Sequence, residues 1–269
     1  MLVMNKEDAN LREYLQQNHN QLIWKDRIKI AYDIIVGILR IHYENAIHRD
    51  LHSGNILFSQ EHPRFDIGDL GFCGPANKPS NSIYGNLPYI APEVIIGKQT
   101  TFKSDIYSIG MLMWEISSGE PPFIKYEHDN DLVMNIIKGM RPRIIPGTPP
   151  EYISLMKQCW DADPLKRPDI RSLWNKIREV IRLYQNMPNE SEANNNLNKT
   201  SDLEANYTSK TFTSKVHQFE NLPEPRNATE EEQEAFYSKS CDLHISDNIN
   251  SKKLSKLFKK LRIKHDPKK

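Results

Sequence analysis

The 269 residues are 38% hydrophobic and 26% charged, enough for one folded domain with an appendage and too few for two full domains. A formal net charge of +1 leaves no electrostatic footprint for nucleic acid, and no apolar run approaches the roughly 18 residues a membrane helix needs. Cys73, Cys159 and Cys241 lie far apart without zinc-ligand spacing, and no signal-peptide core precedes them. Reduced thiols in a cytoplasmic or nuclear chain are the expectation.

Taken in chain order, Asn10 with Glu13 three residues on reads as a capping box for a short helix, Asn10 to Leu15. Ile23, Ile30, Ile34, Ile38 and Ile41 recur at helical steps and predict a buried helix from Leu22 to about Tyr43. Strand signals are confined to Ile56-Leu57-Phe58 and Phe65-Asp66-Ile67. Ser104 is the expected cap of an apolar helix from Asp105 to Ser117, which is hydrophobic nearly all round and stops at Gly119. Further helices are predicted over Leu132 to Gly139, Glu151 to Cys159 and Asp169 to Tyr184, with Pro168 in the first turn of the last. Residues 1–184 therefore read as a mainly α lobe with short β-hairpins. From 185 to 269 the chain turns Asn-, Ser-, Glu- and Lys-rich and is expected to be mostly disordered, with transient helix around Ala228 to Tyr237. Within it, residues 252–264 form a basic amphipathic segment with Leu254, Leu257, Phe258 and Leu261 on one face, suited to an acidic partner or an anionic membrane surface.

The chemistry is concentrated between His48 and Glu93. His48-Arg49-Asp50-Leu51-His52-Ser53-Gly54-Asn55 fits H-R-D-L-x-x-x-N at every fixed position, Asp69-Leu70-Gly71 supplies a D-x-G, and Ala91-Pro92-Glu93 an A-P-E. In this order the motifs resemble the eukaryotic protein kinases, over about Leu2 to Leu183. Cys159-Trp160 and Arg167-Pro168 resemble the tyrosine kinase-like and tyrosine kinase groups.

The resemblance implies a kinase C-terminal lobe that uses ATP and Mg²⁺ on a protein substrate. Asp50 would take the acceptor hydroxyl's proton, Asn55 and Asp69 would hold the metal, and Leu57 would floor the adenine pocket. Arg49 would clamp a phosphorylated activation segment, for which Ser80, Ser82 and Tyr84 are candidate targets of an activating kinase. Asp105 would hold the catalytic-loop backbone, Glu93 and Arg167 would form a buried ion pair, and Trp160 would be core.

Departures from the pattern also carry expectations. Only 47 residues precede His48, no glycine occurs before Gly37, and no V-A-x-K precedes the loop. The ATP-cradling N-terminal lobe is therefore expected to be missing, with Leu2-Val3-Met4-Asn5-Lys6-Glu7 as its last strand. His52 replaces the lysine of serine/threonine kinases and Asn86 their threonine, while Tyr89 fits their pattern. Two readings result: a Mg·ATP-dependent protein kinase favouring serine or threonine, with weak or absent transfer by this chain alone, and a non-catalytic pseudokinase-like interaction module.

Overall fold

Asn10 caps the first helix as the sequence predicts. Its side chain accepts from Glu13 N at 3.0 Å, and Glu13 Oε2 accepts from Asn10 N at 3.2 Å. The computed structural model describes residues 9–75, 83–185 and 213–238, and α1 (Leu11–Asn18) extends past the expected Leu15. The helix α2 (Trp24–Tyr43) starts after Ile23, whose amide donates to Asp26 Oδ2 at 3.2 Å. Ile23 is thus outside the helix and 41% exposed, while Ile28, Ile30, Ala31, Ile34, Ile35 and Ile38 face the core.

The centre of the lobe is α4 (Phe102–Ser118), in which every residue from Ser104 to Ser117 is buried. Its cap is Thr101 rather than Ser104, since Thr101 Oγ1 accepts from Lys103 N at 3.2 Å. Ser104 lies one turn inside, where its hydroxyl accepts from Thr101 N and donates to Glu93 Oε1, both at 3.1 Å. The short α3 (Pro92–Ile95), then α5 (Asn130–Ile137), α6 (Pro150–Cys159) and α7 (Ile170–Gln185) complete the lobe. Asp169 accepts from Ser172 N at 2.8 Å and so caps α7, which places Pro168 before the helix instead of in its first turn. α2 packs on α4 and α7, and α4 on α6. The last contact is close because Gly110 has no side chain: a Cβ there would stand 3.0 Å from Cys159 Cβ. Burial pushes the Cys159 thiol up to about 12, so it is an inert core group.

Strands are more numerous than the two predicted. β1 (Ala9–Asn10), β3 (Ile56–Ser59) and β4 (Arg64–Ile67) form an antiparallel sheet with β3 in the middle, in the register Asn10↔Leu57↔Asp66. β2 (Ala46–Ile47) pairs with β5 (Gly74–Pro75), and β6 (Ile83–Gly85) with β7 (Lys215–His217). Strands of two or three residues are too short to show alternation, which is why the sequence hides them.

β7 lies in the stretch expected to be disordered. Residues 213–227 belong to the same compact unit as the lobe, whereas residues from Ala228 onward form a second unit. The described part of that second unit is a helix over 230–238, where transient helix is predicted. Thr229 opens it, its Oγ1 accepting from Glu232 N at 3.3 Å and its amide donating to Glu232 Oε2 at 2.9 Å. Among the described residues no helix is long and apolar enough to cross a membrane. Ser80, Ser82, the strand expected over residues 2–7 and the basic segment 252–264 lie outside the described residues.

Candidate functional site

The loop 48–55 hangs from the N-terminal half of α4. Asp105 accepts from His48 N at 2.9 Å and from Arg49 N at 3.1 Å, and its Oδ2 is 2.9 Å from His42 Nε2. Arg49 sits at φ 73, a left-handed conformation that the two bonds to Asp105 hold in place. The Arg49 guanidinium donates to Pro75 O at 3.0 Å in β5. Behind α4, Arg167 donates from both terminal nitrogens to the Glu93 carboxylate at 2.7 Å each, and to Lys103 O at 2.8 Å. Arg167 is 1% exposed, so this pair is sealed from solvent. Trp160 is core, and its carbonyl accepts from Arg141 Nε at 3.0 Å.

In front of α4 the three oxygen-bearing residues singled out in the sequence are tied into one cluster. Asn55 Nδ2 donates to Asp50 O at 2.9 Å, and Gly68 N donates to Asn55 O at 2.8 Å. His48 joins the same loops: its Nδ1 accepts from Asp50 N at 3.3 Å, and its Nε2 is 3.0 Å from Gly68 O. Asp69 follows Gly68 in the left-handed region, φ 48 and ψ 65, and accepts from Gly71 N at 3.4 Å. Leu57 Cδ1 would be 2.7 Å from a Cβ on Gly68, so its side chain lies against the backbone that presents Asp69.

This donor set suits a hard divalent cation. Asn55's amide nitrogen is occupied, which leaves its Oδ1 as the side-chain oxygen available to a cation. Among the described residues no group of three or more His, Cys, Asp or Glu forms a metal cage. A cation held by Asn55 and Asp69 would complete its shell with phosphate oxygens and water, as Mg²⁺ prefers.

The Asp50 carboxylate is buried, and burial raises its pKa. Two neighbours face it that the motif did not name. Gly85 has φ +139, and a Cβ there would stand 3.3 Å from Asp50 Oδ1. Ser214 Oγ donates to Asp50 Oδ1 at 2.7 Å and is 3.1 Å from His52 Nε2. His52 Nδ1 accepts from Gly54 N at 3.1 Å, so the neutral ring carries its proton on Nε2 and donates toward Ser214. Burial, with Arg12 and His48 nearby, pushes the His52 pKa down to about 3, so the ring is neutral at physiological pH.

Tyr89, read in the sequence only as part of a pattern, has a structural partner: its hydroxyl donates to Glu115 Oε2 at 2.6 Å inside the core. Tyr84 stacks on Phe72 with ring centroids 3.9 Å apart. Gly85 was legible only through its place before Asn86, and nothing in the tail's composition marked Ser214.

Comparison with known proteins gives a consistent result. The model of the family described as protein tyrosine and serine/threonine kinase matches residues 1–177. The chain is similar to a dual serine/threonine and tyrosine protein kinase of Mus musculus, with 35% identity over 164 residues, 60% of this chain and 18% of the relative. The counterpart in Homo sapiens is 38% identical over 151 residues, 55% of this chain and 16% of the relative. That in Danio rerio is 37% identical over 148 residues, 54% and 16% respectively. The chain thus spans about a sixth of the length of the curated relatives it matches.

Proposed function

The chain belongs to the protein tyrosine and serine/threonine kinase family, and from that premise we propose that its loop cluster serves phosphoryl transfer from Mg·ATP to a protein serine or threonine. The observation that carries this reading is the joining of Asp50, Asn55 and Gly68-Asp69 through two backbone-directed hydrogen bonds, with the whole hung from Asp105.

In this reading Asp50 orients the acceptor hydroxyl and takes its proton. Its raised pKa makes it a better base than an exposed carboxylate, and such a base contributes about 10²–10⁴-fold. Asn55 Oδ1 and Asp69 would hold the metal, which when bound would supply positive charge against the charge developing on the transferred phosphoryl group. Leu57 offers an apolar surface to the adenine ring. Arg49, donating to β5, couples the loop to the activation segment, where phosphate on Ser80, Ser82 or Tyr84 would meet a guanidinium. A serine or threonine acceptor is supported by the reach of the site: the short Ser214 side chain already touches Asp50.

Binding of Mn²⁺ with a non-hydrolysable ATP analogue tests the metal half. Paramagnetic broadening of the Asn55, Gly68 and Asp69 amides, lost in Asp69→Ala, is the expected result. Broadening that persists in Asp69→Ala contradicts the assignment. A chain that binds the metal nucleotide without transferring phosphate is the interaction module of the second reading.

A further inference from the structure

Residues 213–227 lie against the lobe, and the strand β7 runs beside the loop cluster. β7 runs antiparallel to β6, with Gly85 opposite Lys215, Tyr84 opposite Val216 and Ile83 opposite His217. His217 is buried, and its Nε2 is 3.0 Å from Gly85 O, which fixes the register of the pair. Farther along, Arg226 N donates to Ile137 O at 3.1 Å, while Asn227 accepts from Ala162 N at 2.9 Å and donates to Asp161 at 3.0 Å. The strand is therefore anchored on its C-terminal side as well as at β6.

This placement brings one hydroxyl to one carboxylate. Immediately before β7, Ser214 donates to Asp50 Oδ1 at 2.7 Å and receives the Nε2 proton of His52 at 3.1 Å. The bond to Asp50 runs in the direction in which an acceptor hydroxyl would give up its proton, and the bond from His52 fixes where the hydroxyl oxygen lies. The absence of a side chain at Gly85 leaves the space, since a Cβ there would crowd Asp50 Oδ1 at 3.3 Å.

We propose that Thr213 to His217 is an acceptor strand in cis: it occupies the place of a protein substrate, with Ser214 as the hydroxyl presented to Asp50. The proposal rests on the kinase reading of the site. In the transfer, Ser214 Oγ bonds the γ-phosphorus of ATP as the bond from that phosphorus to the β,γ-bridging oxygen breaks. The hydroxyl proton passes to Asp50, and the products are phosphoserine and ADP. The tethered hydroxyl is supplied at an effective concentration that a dilute added protein does not reach, so slow transfer would reach Ser214 first. The product places a phosphate dianion beside the Asp50 carboxylate, and the repulsion favours release of the strand.

Two measurements on the full chain test this. Incubation with Mg²⁺ and [γ-³²P]ATP should label Ser214 at a fractional rate independent of chain concentration, with the label lost in Ser214→Ala and Asp50→Asn. In the same tube, casein reports external transfer. Label on casein with Ser214 bare overturns the proposal and leaves the kinase reading standing. A chain that labels neither overturns the proposed transfer to Ser214, and binding of Mn²⁺ with the ATP analogue then decides whether the metal site of the kinase reading stands. Tyr84→Cys with Val216→Cys places two thiols directly opposite each other. Mild oxidation should give an intramolecular disulfide between these two positions, identified by mass spectrometry. Its absence would overturn the proposal whatever the labelling shows.

Discussion

The two faces of α4 are built differently. Behind it, Glu93 and Arg167 are joined by two bonds of 2.7 Å in a sealed environment. In front of it, Asp50 receives Ser214, a residue 164 positions along the chain that immediately precedes a strand of three residues. Losing Arg167 would strand the buried Glu93 charge, whereas losing Ser214 would take from Asp50 one neutral hydroxyl donor, which water or substrate can replace.

The largest effect that would test this contrast comes from Arg167→Met. It strands the Glu93 carboxylate in the core and should cost about 3–5 kcal/mol in urea denaturation; a loss below 1 kcal/mol would show that the pair is not sealed. Asp105→Ala leaves the buried His48 amide and the part-buried Arg49 amide without their acceptor; at about 1–3 kcal/mol for the first and less for the second, about 2–4 kcal/mol is expected in the same assay. Gly110→Ala forces a methyl against Cys159 and Trp160 and should cost about 1–3 kcal/mol.

On the front face, His52 gives a pH test. Its pKa falls from the ordinary value of 6.5 to about 3 on folding, so the unfolded chain binds a proton that the native chain refuses. The stability it contributes is present above pH 6.5 and is lost as pH falls toward 3. Between pH 6 and 5 this linkage removes about 1 kcal/mol from wild type relative to His52→Asn. Equal pH slopes in the two proteins would contradict a buried neutral imidazole. The smallest effect belongs to Lys98→Ala, which removes the exposed pair with Glu224 and should change stability by less than about 0.5 kcal/mol.

The same contrast decides what was legible in the sequence. Asp50, Asn55 and Asp69 lie in contiguous motifs whose spacing alone groups them, and the pattern that names them also names Asp105, Glu93 and Arg167. The long helices follow from isoleucine periodicity and caps, and the mistakes are local: a cap assigned to Ser104 in place of Thr101, a start set before Ile23, a proline placed inside α7. Ser214 was not legible because its meaning is a contact across the fold, in a stretch whose polar composition argues for disorder. The β6–β7 pair was hidden for the same reason, three-residue strands having no period. Glu115 was missed as the partner of Tyr89 because an acid inside an apolar helix carries no local sign of what it meets.

The central claim, that Asp50 serves as the base in phosphoryl transfer, is tested most directly with the acceptor site freed of its own hydroxyl. Labelling of casein from Mg²⁺ and [γ-³²P]ATP should be compared between Ser214→Ala and the double variant Ser214→Ala/Asp50→Asn. The account predicts slow transfer by the first and a loss of at least about 10²-fold in the second. Equal transfer by both would remove Asp50 from the chemistry, and transfer by neither would leave the lobe an interaction module.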